Sequence, residues 1–316
     1  MMGNWGRMAN YRIIAALLIT GIIIALLMGS LNSGNITAIN GWTVTDDGLL
    51  AYVVSMPQYN LTGPINDGNN TLSSVQFQSR GMQMEGLLRI PMPAGTVQNS
   101  TTKAGRIPGI VLLPGATVTK EREQGLAKYL ADLGYATLTL DQRNLGAADA
   151  RSDMQLFMEA KEPTEHKMVY DALAAAKILR VQPVIDPDRI IYAGESNGGR
   201  FAIIACALDA KSQGVLAIST SGYGTDAAVA KARLTDKDTI RFYRSIDPDT
   251  YLAKITPRPF AMIHSSNDPV IPYQLAERTY TLASQPKSFD TVGCTKHGYC
   301  TDMKADIEKR LLTMAT

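Results

Sequence analysis

The sequence lacks an excess of charge of either sign. Lysine and arginine number 31 against 29 aspartates and glutamates, and two of the arginines, Arg7 and Arg12, fall in the first 30 residues, which contain no acidic residue. The rest of the chain therefore carries 29 basic and 29 acidic residues and is neutral. This balance argues against nucleic acid or any strongly acidic partner.

Low-complexity tracts and internal repeats are also absent, and two useful residue types are scarce. An apolar fraction of 45% in 316 residues suffices for one large α/β domain with an appendage. Both tryptophans, Trp5 and Trp42, precede the regularly patterned part of the chain, which therefore has no tryptophan platform. Only three histidines are present, so a general base can be sought among them by elimination.

The longest apolar run is interpreted as a targeting segment. Residues 13–29 (IIAALLITGIIIALLMG) carry no charge. Extended to Leu31, the run would span about 28 Å as a helix, close to the hydrocarbon thickness of a bilayer. Arg7 and Arg12 precede it and predict a single-pass anchor with the body of the chain outside the cell membrane. A cleaved signal peptide, followed by secretion, is the main alternative, although its apolar core would be long.

Asparagine sequons add weak support for export. Four N-x-S/T sequences occur before residue 105 and none after it, at Asn35, Asn60, Asn69 and Asn99. In an exported protein they are glycan acceptors on exposed loops. Asparagine is plentiful in this region, so chance can supply about half of them.

The pattern of apolar residues divides the chain into three parts. Residues 1–31 form the cytoplasmic tip and anchor, and residues 32–74, rich in Asn, Gly, Thr and Ser, are interpreted as a tether and an irregular preamble. In residues 75–316 short apolar strands alternate with helices, interrupted by a cap-like insert at 222–254. This alternation predicts a mostly parallel, doubly wound sheet, where functional groups collect beyond the carboxyl ends of the strands.

A serine at a sharp strand-to-helix turn is the most informative motif. Gly-Glu-Ser-Asn-Gly-Gly occupies 194–199, between a short apolar strand pattern and an apolar helix pattern. Glycine fits a turn so tight that side chains at 194 and 198 would collide with neighbouring backbone. This is the pattern of the nucleophile elbow of serine hydrolases, which projects the hydroxyl of Ser196 above the sheet. The helix N-terminus there, beginning at Asn197, offers backbone N–H groups to a developing oxyanion.

Residues from about 75 to 316, three quarters of the chain, resemble the α/β-hydrolase superfamily, above all its dienelactone-hydrolase-like and prolyl-oligopeptidase-like serine esterases. The resemblance implies an α/β-hydrolase fold and a Ser-His-Asp triad without metal or cofactor. His297 follows the last predicted strand and matches the family's base in chain order and local sequence. His166 lies early in a predicted helix, and His264 ends a strand where the family often carries a structural histidine.

The acid of such a triad lies between the serine and the histidine in the chain. Asp268, in the sequence HSSNDPVIP, resembles the family's loop after the penultimate strand and precedes His297 by 29 residues. Asp247, in the insert, and Asp290, within a strand, are the alternatives.

The resemblance also implies an oxyanion hole made of two backbone N–H groups, one from Asn197 and one from the loop after the third strand. The sequence LLPGAT at 112–117 resembles that loop and makes Ala116 the second donor. The family usually has His-Gly where this chain has Pro-Gly, which leaves Thr117 as an open alternative.

Two of the three cysteines flank His297 symmetrically, as Cys-x2-His-x2-Cys. In an external compartment a disulfide between Cys294 and Cys300 is favoured, and it would pin the histidine loop. A zinc site would consume the expected base and lacks a clear fourth ligand. Cys206, behind the elbow, is expected to be a small buried apolar residue.

These features predict a membrane-anchored, extracytoplasmic serine hydrolase that cleaves small-molecule carboxylic esters through an acyl-enzyme. A peptidase similar to prolyl oligopeptidase is the main rival, but only about 45 residues separate the anchor from the first core strand, too few for the propeller that such peptidases carry. Dienelactone hydrolase activity itself is disfavoured because residue 196 is serine and not cysteine. A catalytically silent binding module on the same fold is a third possibility. Aromatic residues of the insert are expected near the entrance: Tyr223, Phe242, Tyr243 and Tyr251.

A chain that begins at residue 32 should fold and hydrolyse esters without detergent, because the apolar run contributes nothing to the core of the regular domain. Size-exclusion chromatography and hydrolysis of p-nitrophenyl acetate measure this, with the full chain in detergent as the control. Aggregation of the shortened chain beside an active full chain would contradict the anchor interpretation.

Overall fold

In a computed structural model, which describes residues 41–92 and 105–315, eleven strands form two sheets flanked by eight α-helices. The strands are β1 (Trp42–Val44), β2 (Leu50–Tyr52), β3 (Tyr59–Asp67), β4 (Asn70–Ser79), β5 (Met82–Pro91), β6 (Ile107–Leu113), β7 (Ala136–Leu140), β8 (Ile185–Glu195), β9 (Ser212–Ile218), β10 (Phe260–Ser265) and β11 (Lys287–Val292). The helices are α1 (Gln124–Asp132), α2 (Ala150–Met158), α3 (Thr164–Arg180), α4 (Asn197–Leu208), α5 (Thr225–Ala232), α6 (Lys237–Ile246), α7 (Tyr273–Leu282) and α8 (Lys304–Ala315).

The main sheet has nine strands in the order β11-β10-β9-β8-β6-β7-β5-β4-β3, and β1 pairs only with β2. The strands from β11 to β7 are parallel, whereas β5, β4 and β3 are antiparallel additions at one side. Side chains alternate across the parallel half, so that Val111 of β6 joins the core beneath α3 and α4 while its neighbour Ile110 joins the core beneath α1 and α8. The sheet is covered on both faces, as the sequence predicts.

The antiparallel side of the sheet begins earlier than the sequence indicates. Strand β3 and the start of β4 lie within residues 32–74, which the sequence pattern assigned to an irregular preamble. Nearly all of β3 is exposed, and its register with β4 shifts between Thr62 and Ile65, around Gly63 and Pro64. An exposed edge strand has no buried face to impose an apolar alternation, and proline is tolerated there because one ladder donor can be missing. The predicted hairpin of β4 and β5 around Gly81 is confirmed.

Trp42 belongs to the main core, contrary to the sequence interpretation. Its indole is 4% exposed and packs 5.5 Å from the ring of His166 and 6.3 Å from that of Phe157. His166 is fully buried, with Nε2 2.7 Å from Ser245 Oγ, and burial lowers the pKa of its imidazole to about 3. The neutral ring is therefore a structural member of an aromatic cluster.

The insert is helical, as predicted, but three of its four aromatic residues named above are not at an entrance. It contains α5, α6 and a 3₁₀ turn at Pro248–Lys254. Phe242, Tyr243 and Tyr251 are buried in the main core, and only Tyr223 is half-buried. The Tyr251 hydroxyl accepts the N–H of Leu50 at 2.9 Å, so the insert is fastened to β2. The predicted position of Phe242, Tyr243 and Tyr251 was wrong because β1 and β2 cover this face of the insert.

The predicted N-terminal anchor lies outside the described residues, as do the sequons at Asn35 and Asn99. Among residues 41–92 and 105–315, no helix is both long and apolar enough to cross a membrane. Asn60, on β3, and Asn69, in the turn before β4, are exposed. Glycosylation of these two residues stays a prediction.

A buried ion pair joins helix α3 to the segment after β7. Arg143 Nε lies 2.6 Å from Asp171 Oδ2, and both side chains are almost fully shielded, at 8% and 3% exposed. Arg143 Nη2 also donates to the carbonyl of Ser79 at 2.6 Å. Burial raises the pKa of Asp171, and the adjacent guanidinium opposes that rise. Loss of either partner would therefore leave the other as a buried group without its counter-charge.

Replacing Asp171 by alanine should lower the free energy of unfolding by about 3–5 kcal/mol, because it leaves the buried Arg143 guanidinium without its counter-charge. Urea denaturation followed by circular dichroism measures the change. The matched control is Asp226→Ala, which removes an exposed pair with Arg244 and should cost about 0–1 kcal/mol. Equal effects of the two substitutions would contradict this account.

Candidate active site

Ser196 lies at the tip of a strained turn between β8 and α4. Its φ and ψ are 52° and −121°, a backbone conformation that non-glycine residues rarely adopt. A Cβ on Gly194 would lie 2.5 Å from the backbone of Gly198, and one on Gly198 would lie 2.1 Å from the carbonyl oxygen of Leu113. The steric reason for glycine at both positions is confirmed. The turn points residue 196 away from the sheet at the carboxyl end of β8.

His297 and Asp268 meet across the loops that follow β11 and β10. His297 Nδ1 lies 2.8 Å from Asp268 Oδ2, and Asp268 Oδ1 accepts the N–H groups of Val270 and Ile271 at 2.8 and 2.9 Å. Burial acts to raise the pKa of Asp268, but the hydrogen bonds from His297 and from these N–H groups outweigh it and leave the pKa below its ordinary value. The carboxylate therefore stays ionised and favours a proton on Nδ1 of His297, which leaves Nε2 able to accept one.

The loop that carries His297 is fastened to the serine turn by its backbone. Glu195 Oε2 accepts the N–H of Tyr299 at 3.0 Å, and Ser219 Oγ donates to the carbonyl of Gly298 at 3.3 Å. His297 Nε2 is buried and has no hydrogen-bond partner in the part of the chain that the structure describes, and neither has the Ser196 hydroxyl. Such bonds are often long in free enzymes and tighten with substrate. The serine–histidine bond stays a prediction.

The second histidine near this site is structural. His264 is fully buried, its Nε2 lies 2.9 Å from the carbonyl oxygen of Ile271 and 3.8 Å from Asp268 Oδ2. Burial lowers the pKa of His264, although the Ile271 carbonyl and Asp268 oppose that shift. A neutral His264 donates to the Ile271 carbonyl and holds the loop in which Asp268 lies.

The two alternative acids are engaged elsewhere. Asp247 accepts the N–H groups of Tyr223 and Thr225 at 3.0 and 2.8 Å and so organises the insert. Asp290 forms a two-pronged ion pair with Arg310 of α8. Of the three carboxylates considered, Asp268 is the one in contact with His297.

Of the two candidate oxyanion donors in the loop after β6, only the N–H of Ala116 is left without a partner in the part of the chain that the structure describes. Thr117 N–H donates to the carbonyl of Leu145 at 2.7 Å, so it is not available, whereas the N–H of Ala116 has no partner among the described residues. The neighbouring Gly115 lies against Ser196, since a Cβ there would be 3.4 Å from that of the serine. These contacts favour Ala116 over Thr117 as the expected donor, and the oxyanion role itself stays a prediction.

Asn197, the other expected donor, begins α4, where backbone N–H groups lack intrahelical partners. Its side-chain Nδ2 donates to the carbonyl of Gly146 at 3.0 Å. The segment 143–146 therefore holds both candidate donors, Asn197 through Gly146 and the Ala116 loop through Leu145, and its own anchor is the buried Arg143. Each of these contacts joins residues that are distant in the chain.

The predicted disulfide is present. Cys294 and Cys300 are bonded, with Cα atoms 6.7 Å apart, and close a loop around His297. Asp302 lies near both sulfurs, but these are engaged with each other and His297 Nδ1 faces Asp268, which does not favour a zinc site. Cys206 is buried, as expected, and burial raises the pKa of its thiol to about 11.

Sequence reasoning expected Tyr223 near the entrance but missed Arg200 and Glu165, which contact it on the insert side of the elbow. Arg200 lies one helical turn after Ser196, stacks 4.3 Å from the ring centre of Tyr223 and donates to the carbonyl of Ser221. The Tyr223 hydroxyl donates to Glu165, and burial raises the pKa of Glu165 to about 8. The sequence indicated that Arg200 lies near the serine only through its i, i+4 spacing from Ser196.

Comparisons with known proteins agree with the fold. The sequence model of the dienelactone hydrolase family matches residues 94–287, which include Ser196 and Asp268 and end before His297. The uncharacterized protein YfhR of Escherichia coli K12 is 24% identical over 216 residues, covering 68% of this chain and 69% of its own. Acyltransferase drtE of Aspergillus calidoustus is 30% identical over 131 residues, 40% of each chain. An acetyl xylan esterase from Paenibacillus sp. R4 has the same fold, with a TM-score of 0.64, 16% identity and coverage of 81% of this chain and 88% of its own.

Two glycines of the histidine loop should respond differently to alanine. Gly298 has φ +82°, and a Cβ there would lie 2.5 Å from Glu195 Oε2, whereas Gly293 has open space around it. Gly298→Ala should lower the free energy of unfolding by about 1–2 kcal/mol, because it adds backbone strain and displaces Glu195. Gly293→Ala is the control and should stay within about 0.5 kcal/mol of the wild type in the same urea titration. An unaffected Gly298→Ala variant would argue against the tight seat of this loop.

Proposed function

Because the chain belongs to the dienelactone hydrolase family of α/β-hydrolases, we propose that it hydrolyses small-molecule carboxylic esters through an acyl-enzyme formed on Ser196. One observation carries the proposal: His297 is held by a shielded carboxylate at Nδ1, in a loop fastened to the turn that bears the serine. A serine hydroxyl is a poor nucleophile by itself and needs a base that is oriented in this way.

In the proposed first half-reaction, Ser196 Oγ attacks the ester carbonyl while His297 Nε2 takes its proton. Asp268 keeps the imidazole in the required tautomer and stabilises the imidazolium that forms. The oxyanion accepts hydrogen bonds from the N–H groups of Ala116 and Asn197, which are preorganised and cost no rearrangement when charge develops. The imidazolium then protonates the leaving alcohol.

In the second half-reaction, water takes the place of the alcohol. His297 removes a proton from that water as the water oxygen attacks the acyl carbon. The bond from this carbon to Ser196 Oγ then breaks, and His297 returns the proton to Oγ, which releases the acid and restores the free serine. Each proton moves between His297 and an oxygen of the serine, the alcohol or the water, so the cycle needs no cofactor.

The location of the reaction is part of the proposal. The uncharged run at 13–29, preceded by two arginines, supports a single-pass anchor with the catalytic domain outside the cell. The bond between Cys294 and Cys300 supports an oxidising compartment, because such bonds are rare in the cytosol. Secretion after signal cleavage is the alternative.

A second candidate function is acyl transfer to an alcohol. It is favoured by the relative whose name is acyltransferase, which is 30% identical to 40% of this chain. An acyl-enzyme can be resolved by an alcohol as well as by water, so the two activities share the first half-reaction. Product analysis with and without added alcohol separates them, since transfer yields a new ester and hydrolysis yields free acid.

The serine assignment is tested with a fluorophosphonate probe. The wild type should be labelled and Ser196→Ala should not, because residue 196 alone has the elbow geometry. The control Ser284→Ala, at an exposed serine between α7 and β11, should label normally. His297→Ala should lower kcat for p-nitrophenyl esters by roughly 10⁴-fold or more. Labelling that survives Ser196→Ala would refute the assignment.

The same assay distinguishes the rival enzyme classes. p-Nitrophenyl esters of increasing acyl length, run beside aminoacyl p-nitroanilides, should yield turnover of the esters alone. Cleavage of the anilides at a comparable kcat/KM would favour the peptidase, and no turnover of either series would favour a binding module.

A further inference from the structure

Two carboxyl groups face each other directly behind the elbow, and the proposed reaction gives them no role. Glu195 ends β8 beside Ser196, and Glu123 immediately precedes α1. Glu123 is 4% exposed, its carboxyl lies within hydrogen-bonding contact of that of Glu195, and its Oε1 has no donor among the described residues. No lysine or arginine forms an ion pair with either group in the described parts of the chain; the nearby Lys120 pairs with Glu85, Glu121 and Asp141.

Two carboxyl groups that are in contact and have no basic partner cannot both be ionised. One of them therefore retains its proton and donates a hydrogen bond to the other. Burial, and then the charge of Glu195, raise the pKa of Glu123 to about 10. Glu123 therefore keeps its proton at neutral pH and donates its O–H to a carboxyl oxygen of Glu195. Tyr299 and Tyr129 also lie on this side, and burial raises the pKa of both phenols, so both remain neutral. Beyond Tyr129, the charged groups of α8 near its phenol are Lys304, whose Nζ lies 4.8 Å from the ring centre, and Glu308.

The second acceptor face of Glu195 carries the histidine loop. Its Oε2 accepts the N–H of Tyr299 at 3.0 Å, and the adjacent Gly298 lies so close that a Cβ there would be 2.5 Å from the same oxygen. The ring of Tyr299 stacks on Tyr129 of α1, with ring centres 6.4 Å apart. The loop is thus held between the helix that follows Glu123 and the strand that ends in Glu195.

We propose that Glu123 and Glu195 share one proton and that this pair positions the loop of His297 over Ser196. Glu195 is then a positioning residue, which acts on the reaction through the Tyr299 N–H and touches no substrate. The consequence for turnover rests on the function proposed above, whereas the shared proton does not.

A neutral Glu123 orients Glu195 so that one oxygen receives its proton and the other receives the Tyr299 N–H. When Glu123 loses its proton, the two like charges repel and Glu195 leaves that position. Tyr299 is two residues from His297, so the imidazole moves with the loop, and a displacement of about 1 Å can cost roughly a hundredfold in rate.

The shared proton is tested by the pH dependence of unfolding. The folded chain holds a proton that a free glutamate releases above its ordinary pKa, so this contribution to stability is lost as the pH rises from about 4.5 toward 10. At pH 7 to 8 the wild type should release about one proton more on unfolding than Glu123→Gln. Glu121→Gln, at an exposed residue in the same turn, is the control and should behave as the wild type. Equal proton release by wild type and Glu123→Gln would overturn the proposal.

The positioning role is tested by comparing conservative and truncating variants. Glu195→Ala should lower kcat by roughly tenfold to a hundredfold with a smaller change in KM, and hydrogen exchange at the Tyr299 amide should become faster. Glu123→Ala should also lose turnover, whereas Glu123→Gln should restore it and remove the fall at alkaline pH, because an amide donates to Glu195 without titrating. Wild-type kcat in Glu195→Ala would overturn the role.

Two further arms keep the outcome decisive. If Glu195→Ala does not fold, Glu195→Gln replaces it: the amide still accepts from Tyr299 and donates to Glu123, so turnover should persist. Glu123 should then release its proton at a lower pH than in the wild type, because the charge of Glu195 no longer adds to the effect of burial on its pKa. Proton release over an unchanged pH range in Glu195→Gln would overturn the pair. If no ester is turned over by the wild type, proton release and Tyr299 exchange still decide the pairing, and a positive result there assigns the failure to the proposed function alone.

Discussion

Everything in the candidate site depends on how closely the start of α4 approaches the end of β6. Gly198 lies so near the carbonyl of Leu113 that no side chain fits between them, and Leu113 pairs with Gly194 in the parallel ladder. This single backbone contact places Ser196, the N–H of Asn197 and the loop that begins after Leu113 in a fixed relation. Because the contact is between main-chain atoms, its geometry does not depend on flexible side chains, and the segment 143–146 then braces it from the other side.

The half of the site that bears His297 is built from different interactions. Asp268 is fixed by two backbone N–H groups of the turn after β10, and the loop after β11 is closed on itself by the disulfide. Neither the two hydrogen bonds to Asp268 nor the disulfide fixes where this half of the site lies relative to the elbow. The hydrogen bond from Tyr299 to Glu195 joins the two halves, and this explains why a carboxylate directly beside the serine has to be kept in one orientation.

Features that depend on a short stretch of the chain could be predicted from sequence. Contacts between residues far apart in the chain could not. The elbow, the parallel sheet, the β4–β5 hairpin and the cysteine pair each follow from glycine sterics, apolar alternation or close spacing within a short stretch. His297 and Asp268 followed from resemblance and chain order, and the structure brings them together without testing their roles. Strand β3 was missed because an exposed edge has no apolar face, and Trp42 was misplaced because its burial depends on helices more than a hundred residues away. The contact of Glu123 with Glu195 likewise joins residues that no local pattern relates.

The irregular pairing of β3 has a consequence for how copies of this chain behave beside one another. An open sheet edge presents a row of free N–H and carbonyl groups to which a strand of another molecule can add. The break in register at Gly63 and Pro64 interrupts that row, since proline has no N–H to offer and the local bend prevents a long straight match. The exposed edge is therefore a poor template for intermolecular strand addition, which protects a crowded population of this protein against aggregation through its outermost strand.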